Sequence, residues 1–350
     1  MKLVWDKLPS AGNGRNSEGS FIRLPDGRIL FAYSRYNTNG YSDNADCDIA
    51  AIYSADEGES WTEPVIIARA ETFGVGNIMS VSCVLQKDGK IGVYFLIKEN
   101  EGNITFGRAL SADGVHFESE RCEINGPISY YVVNNDRFTR LSDGRLAAPA
   151  AMHAYNGKKS EGFGVSTVLV SDDDGKHFTT LPVRLTLSTP DPEGVGMQEP
   201  GVFEHRDGTV RLWARTSAGH QYECYSRDGM MSFTQPGPSV FTSPISPLEM
   251  AEHEGVLYAV YNPVPLDNYL PRTKAGWGRT PFVVRKSMDD GRTWGPCTVI
   301  EDDPERGYCY PAMFFTDDGA MLCAYCRGGA EDQICLNRLG IMKIDLEDIK

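Results

Sequence analysis

Six times along the chain, two apolar runs flank a short polar break in which an acidic residue precedes glycine: Asp26-Gly27, Asp88-Gly89, Asp143-Gly144, Asp207-Gly208, Glu254-Gly255 and Asp318-Gly319. Such a break predicts two antiparallel strands joined by a tight turn, because the turn needs a positive φ that glycine adopts without strain. The breaks stand 62, 55, 64, 47 and 64 residues apart. Six units of about 58 residues, read as repeated antiparallel sheets, predict a propeller.

A second pattern runs out of phase with the first. Ser-x-Asp-x-Gly-x-x-(Trp/Phe) occurs at Ser54-Asp56-Gly58-Trp61, Ser171-Asp173-Gly175-Phe178 and Ser287-Asp289-Gly291-Trp294, with altered spacing at Ser111-Asp113-Gly114-Phe117 and Ser226-Asp228-Gly229-Phe233. The serines are 57, 60, 55 and 61 residues apart. This is the Asp box, a hairpin whose carboxylate accepts from turn N–H groups while the aromatic packs inward. With both turns, each unit reads as four antiparallel strands, one blade. The last unit has no box, and Lys2-Leu3-Val4-Trp5 is expected to supply its fourth strand and close the ring. The expected fold is all-β, a single six-bladed β-propeller over residues 1–350.

Composition narrows the function. Hydrophobic residues at 41%, with 36 Gly and 20 Pro, suit a turn-rich β protein in one body. A net charge of −14 argues against a nucleic-acid partner, since phosphate neutralisation needs surplus Lys and Arg. The start, Met1-Lys2-Leu3-Val4-Trp5-Asp6, lacks an apolar signal region. No run approaches the roughly 20 apolar residues of a membrane helix, so a cytoplasmic location and no membrane partner are expected. The nine cysteines lack framework spacing, and Cys323-x-x-Cys326 sits in an expected strand whose positions three apart face opposite ways. The six histidines form no ligand motif, so neither a metal nor a cofactor is implied.

The turns act as rulers for the chemistry. Eight residues before each acidic turn residue, where the inner strand of a blade should begin, stand Glu18, Ser80, Asn135, Glu199, Ser246 and Tyr310. All are polar, and the strands continue apolar, as in Phe21-Ile22 and Val202-Phe203. Equivalent strand starts in a propeller ring one mouth of the central channel. Eight to ten residues after the turns, where the return strand reaches that mouth, stand Arg35, Lys98, His153, Arg215, Asn262 and Arg327. Arg and Lys there suit an anionic or hydroxyl-rich ligand, or a network of internal ion pairs such as Arg215 with Glu199. The polar run Asn134-Asn135-Asp136-Arg137 at the third unit is dense for a strand start and is expected to contact ligand.

These boxes, the six units, and the strings Gln198-Glu199-Pro200-Gly201-Val202-Phe203 and Trp213-Ala214-Arg215 resemble the sialidase (neuraminidase) superfamily along the whole chain. The resemblance implies a glycan substrate, three arginines that grip a sugar carboxylate, a Tyr nucleophile assisted by a Glu, and an Asp acid/base. It places Glu199 as the assisting Glu and Arg215 as the arginine that follows it. Arg279, eight residues before Ser287, is similar to the third arginine. Tyr310 matches the nucleophile, with Tyr308 the alternative, and Asp43 the acid/base, with Asp46 the alternative.

The chain departs from the family at the first arginine: Asn16-Ser17-Glu18-Gly19-Ser20-Phe21 carries Glu18 where the arginine would stand. Exchanging a cation for an anion at a carboxylate clamp turns attraction into repulsion of several kcal/mol at about 4 Å and an effective ε near 20. In this the string is more similar to sialidase-like proteins that lack the first arginine. Arg15, Arg35 or Arg137 would then have to serve in its place. Otherwise the pocket binds a different terminal sugar, and Glu18 holds its hydroxyls or is itself a catalytic carboxylate.

The expected activity is exo-acting glycoside hydrolysis, a retaining reaction with Tyr310 activated by Glu199 and Asp43 as acid/base. The alternatives are a non-catalytic carbohydrate-binding propeller and a sugar-acid lyase on the same scaffold.

Overall fold

Each acidic-Gly break is a hairpin turn in which the glycine has φ between 80° and 89°. The computed structural model describes residues 1–155, 157, 160–187, 191–264 and 275–350. Six antiparallel sheets follow one another around a ring, forming a six-bladed β-propeller. The first blade comprises Arg15–Arg23, Ile29–Tyr36, Cys47–Ser54 and Val65–Ala68, paired in that order from the channel outward. The second, fourth and fifth repeat this order from Ile78–Leu85, Gln198–Glu204 and Glu249–His253. The sixth has Cys309–Phe315, Ala320–Cys326 and Leu339–Asp345, and Lys2–Lys7 pairs antiparallel with the last of these to close the ring.

The third blade departs from the expected four strands. Its inner strand is split into Tyr130–Val132 and Thr139–Arg140, both paired with Leu146–Tyr155, and Glu123–Asn125 joins His177–Thr180 in parallel at the outer edge. The polar run 134–137 occupies the gap, where its side chains bond other blades in place of a continuous ladder.

Strand alternation builds the core. In Ile29–Tyr36 the side chains of Ile29, Phe31 and Tyr33 join a cluster with Leu322, Ala324 and Ile341 of the sixth blade. Leu30 and Ala32, on the other face, join Ile78, Val81 and Val93 of the second. Successive side chains of a strand point to opposite faces, so a sheet clasped on both sides reads as a continuous apolar run. Equivalent clusters lie between every adjacent pair of blades. The Ser-x-Asp turns are held by their own side chains: Ser54 Oγ donates to Asp56 Oδ1 at 2.8 Å and accepts from Gly58 N at 2.8 Å. A Cβ on Gly58, at φ 84°, would come within 2.6 Å of Leu322.

Candidate active site

The inner strands carry the site on a repeated bulge. Pairing slips between Ser17 and Ser20, Met79 and Ser82, Gln198 and Gly201, and Cys309 and Ala312. Inside each slip the residue eight before the turn takes a positive φ: Glu18 56°, Ser80 59°, Glu199 46° and Tyr310 56°. A non-glycine residue held there costs on the order of 1–3 kcal/mol and persists where surrounding structure enforces it. The bulge re-aims the side chain along the channel axis. All four residues line one cleft of about 260 Å³ at the channel mouth.

Two parts of this cleft differ in chemistry. On one side Tyr310 Oη donates to Glu199 Oε1 at 3.1 Å, and Arg215 Nη1 faces Glu199 Oε2 at 3.1 Å. Burial and then the Glu199 charge push the Tyr310 phenol well above its ordinary value, against the pull of Arg279 and Arg215. The Arg279 guanidinium lies 5.6 Å from the Tyr310 ring and 4.9 Å from the Trp277 ring. Trp277 thus packs on an arginine of its own loop.

On the other side the buried Arg15 holds two carboxylates. Its Nη2 donates to Glu18 Oε2 at 2.8 Å and its Nη1 to Asp43 Oδ1. Ser17 Oγ and Ser80 Oγ donate to the two oxygens of Glu18 at 2.8 and 3.0 Å. Burial raises the Glu18 pKa above the usual glutamate value, and the Arg15 charge only partly offsets this. Asp43 stands at the rim with its side chain 63% exposed. Crowding by the surrounding loops pushes its pKa up, but the adjacent Arg15 outweighs this and holds it below the usual carboxylate range. Asp43 lines the cleft and Asp46 does not.

Between these corners Met79, Leu96, Ile104, Tyr130, Val132 and Val133 form an apolar wall. The sequence did not single them out as a wall; the continuous apolar run Tyr130–Val133 just before a polar break was the available signal. His153, also in the lining, is held by Glu161 O at 2.7 Å and Gln198 Oε1 at 3.1 Å, and burial lowers its pKa.

Several expected ligand contacts stand elsewhere. Asn135 Nδ2 donates to the carbonyls of Gly19 at 2.8 Å and Pro311 at 3.2 Å, stitching the third blade to the first and sixth. Asp136, with φ 59°, accepts from Ser20 Oγ and from Met313 N at 3.2 Å. Arg137 pairs with Glu249, donates to Leu248 O at 2.6 Å and stacks over Trp213. In this run only Asn134 lines the cleft. The density of polar residues reflects the need of buried carbonyls at the ring's centre for donors. Arg327 is spent on Asp6 at 3.4 Å and Glu301 at 3.0 Å. Arg35 donates to Asn37 and is outside the lining, and Tyr308 is buried between the fifth and sixth blades. Among the described residues no group of three or more His, Cys, Asp or Glu is placed to hold a metal ion, and no helix is long and apolar enough to cross a membrane.

Comparison with known proteins agrees with this architecture. The BNR repeat-like domain model matches residues 36–323. A Hadza microbial sialidase superposes with a TM-score of 0.74 at 15% identity, covering 97% of this chain and 67% of that one. The NanB sialidase from Streptococcus pneumoniae superposes at 0.71 and 13% identity, covering 100% and 71%. A protein of unknown function from Dyadobacter fermentans superposes at 0.69 and 16% identity, covering 98% and 99%. At these identities the likeness is one of fold. No curated protein matches the chain.

Proposed function

We propose, on the premise that the chain belongs to the BNR repeat-like domain family, that it is an exo-acting glycoside hydrolase that removes a terminal sugar with retention of configuration. The observation that carries the reading is the Tyr310 hydroxyl directed at Glu199 at 3.1 Å on the cleft floor, with Arg215 on the other carboxylate oxygen. A phenol is a weak nucleophile until a base takes its proton. Here burial and Glu199 disfavour free phenolate, so proton transfer to Glu199 accompanies attack.

The balanced sequence has two steps. Tyr310 Oη bonds to the anomeric carbon as the glycosidic C–O bond breaks; Glu199 receives the phenol proton, and Asp43 gives one to the leaving oxygen. Water, deprotonated by Asp43, then attacks the anomeric carbon, and Tyr310 leaves and recovers its proton from Glu199. In the free protein Arg15 favours ionised Asp43, so the acid form is reached when a bound glycan excludes water from the rim. The cleft volume of about 260 Å³ suits one sugar ring.

The test is fluorophore release from a panel of aryl glycosides, an α-sialoside beside neutral hexosides and uronides, by wild type and Glu199→Gln. Cleavage of one class by wild type and its loss in the variant is the expected result. No cleavage of any member, with sugars still bound, would replace the hydrolase reading with a carbohydrate-binding propeller.

A further inference from the structure

The Arg15–Glu18 corner of the cleft carries more carboxylate than guanidinium charge. The described lining holds three carboxylates, Glu18, Asp43 and Glu199, and one guanidinium, Arg215, which is paired with Glu199. One buried cation, Arg15, therefore serves both Glu18 and Asp43. Arg15 is not free to reach a ligand. Its Nε donates to Ser17 Oγ at 3.0 Å, its Nη1 also to Tyr41 O at 3.2 Å, and its guanidinium lies 4.4 Å over the Tyr36 ring. Arg279, beside the Tyr310 ring, gives Nε and Nη2 to Ile245 O at 3.2 and 3.0 Å and keeps Nη1 without a hydrogen-bond partner on the Tyr310 side. Lys98, at the rim, is engaged by Asn44 Oδ1 and Asp43 O.

Two donors of that lining are buried without a hydrogen-bond partner: Arg215 Nε, on the Glu199 side, and one neutral amide. Asn134 Nδ2 is buried and has no hydrogen-bond partner, and Asn134 lines the cleft. An amide donor in the same cleft as three carboxylates suits the oxygen of a hydroxyl or carbonyl group. A ligand carboxylate held against Glu18 would be desolvated beside a like charge whose guanidinium partner, Arg15, is already shared with Asp43.

We propose that the cleft takes a neutral terminal sugar, one that carries no carboxylate, and that Glu18, fixed by Arg15, is the specificity-determining residue. This rests on the glycosidase reading of the same site. Tyr310 accommodates either class, because its oxygen is neutral until Glu199 takes the proton. Discrimination therefore falls to the Arg15–Glu18 corner.

The experiment compares matched pairs that differ only in a carboxylate: aryl glucosides with glucuronides, aryl galactosides with galacturonides, and an aryl α-sialoside with its methyl ester. Turnover is measured with wild type, and binding by calorimetry with Glu199→Gln. In at least one pair the neutral member is expected to be favoured tenfold or more, equivalent to about 1.4 kcal/mol. Glu18→Gln should narrow that ratio by about tenfold, a shift that general loss of folding would not produce. Preference for the acid members overturns this proposal and leaves the hydrolase reading intact. Tighter binding of neutral members without turnover does the reverse, and a panel neither bound nor cleaved removes both.

Discussion

Tyr310 in the sixth blade and Glu199 in the fourth meet across the channel mouth at 3.1 Å, each carried on a bulge residue with positive φ. The two strands pair with different neighbours, so the contact depends on closure of the ring. Tyr310→Phe is expected to abolish glycoside turnover, and Glu199→Gln to lower kcat by about 10²–10⁴-fold. The phenylalanine variant loses one hydrogen bond, about 1 kcal/mol, so its unfolding midpoint should move by only a few degrees. Turnover unchanged in Tyr310→Phe would remove it as the nucleophile.

Asp43 is assigned acid/base work, which makes its importance depend on the leaving group. Asp43→Asn should cost little in the first step with a nitrophenolate, which departs without a proton. It should cost about 10²–10⁴-fold with an alkyl glycoside, which cannot. Asp46→Asn should match wild type on both, because Asp46 is outside the cleft lining. Equal losses in the first step, read as the pre-steady-state release of the leaving group, would instead mark Asp43 as a partner that positions Arg15.

The sequence shows why some of this was legible. Counting back eight residues from the acidic turns found Glu18, Ser80, Glu199 and Tyr310, because hairpin length fixes where the inner strand bulges. In the third blade the positive φ falls on Asp136, seven residues before Asp143, while Asn135 points to carbonyls across the ring. The split of that inner strand left no pairing register from which to count. Arg15 was visible as a residue but its role was not: a side chain three positions before Glu18 would face the other side of a regular strand, and it meets Glu18 only because the bulge that starts after Ser17 re-aims the Glu18 side chain. The apolar wall escaped because Met79, Leu96 and Ile104 come from three different strands and meet the Tyr130–Val133 segment only once the blades are packed.

The Arg15–Glu18 pair is buried, with side chains 1% and 6% exposed. Removing one partner of such a pair leaves an uncompensated charge, at a cost of about 3–5 kcal/mol. Arg15→Met should be destabilised by that order in urea unfolding at pH 7.5. Glu18 already has a folded-state pKa above its unfolded value of 4.5, and loss of Arg15 raises it further. A carboxyl with a raised folded pKa keeps its contribution below the unfolded value and loses it as pH climbs through the folded one. The deficit should therefore shrink at pH 4.5, and Arg15→Met with Glu18→Gln should recover much of it at pH 7.5. A deficit independent of pH would point to lost packing over Tyr36.

Asp136 is the second carboxylate that burial places out of its ordinary range. Enclosed near the channel axis, it accepts from Ser20 Oγ and Met313 N, and burial outweighs these bonds and Arg137 to push its pKa up to about 6. The unfolded chain, with the ordinary value of 3.8, releases the proton first. Stability linked to Asp136 is thus fully present below pH 3.8 and lost as pH rises towards 6, about 3 kcal/mol at most. Asp136→Asn holds the neutral form at every pH and can still accept from Ser20. Its stability relative to wild type should therefore improve as pH rises from 4 to 7, and the difference curve from urea unfolding should level off above pH 7. A flat difference would mean that water reaches the carboxylate in the channel and leaves it ionised at ordinary cost.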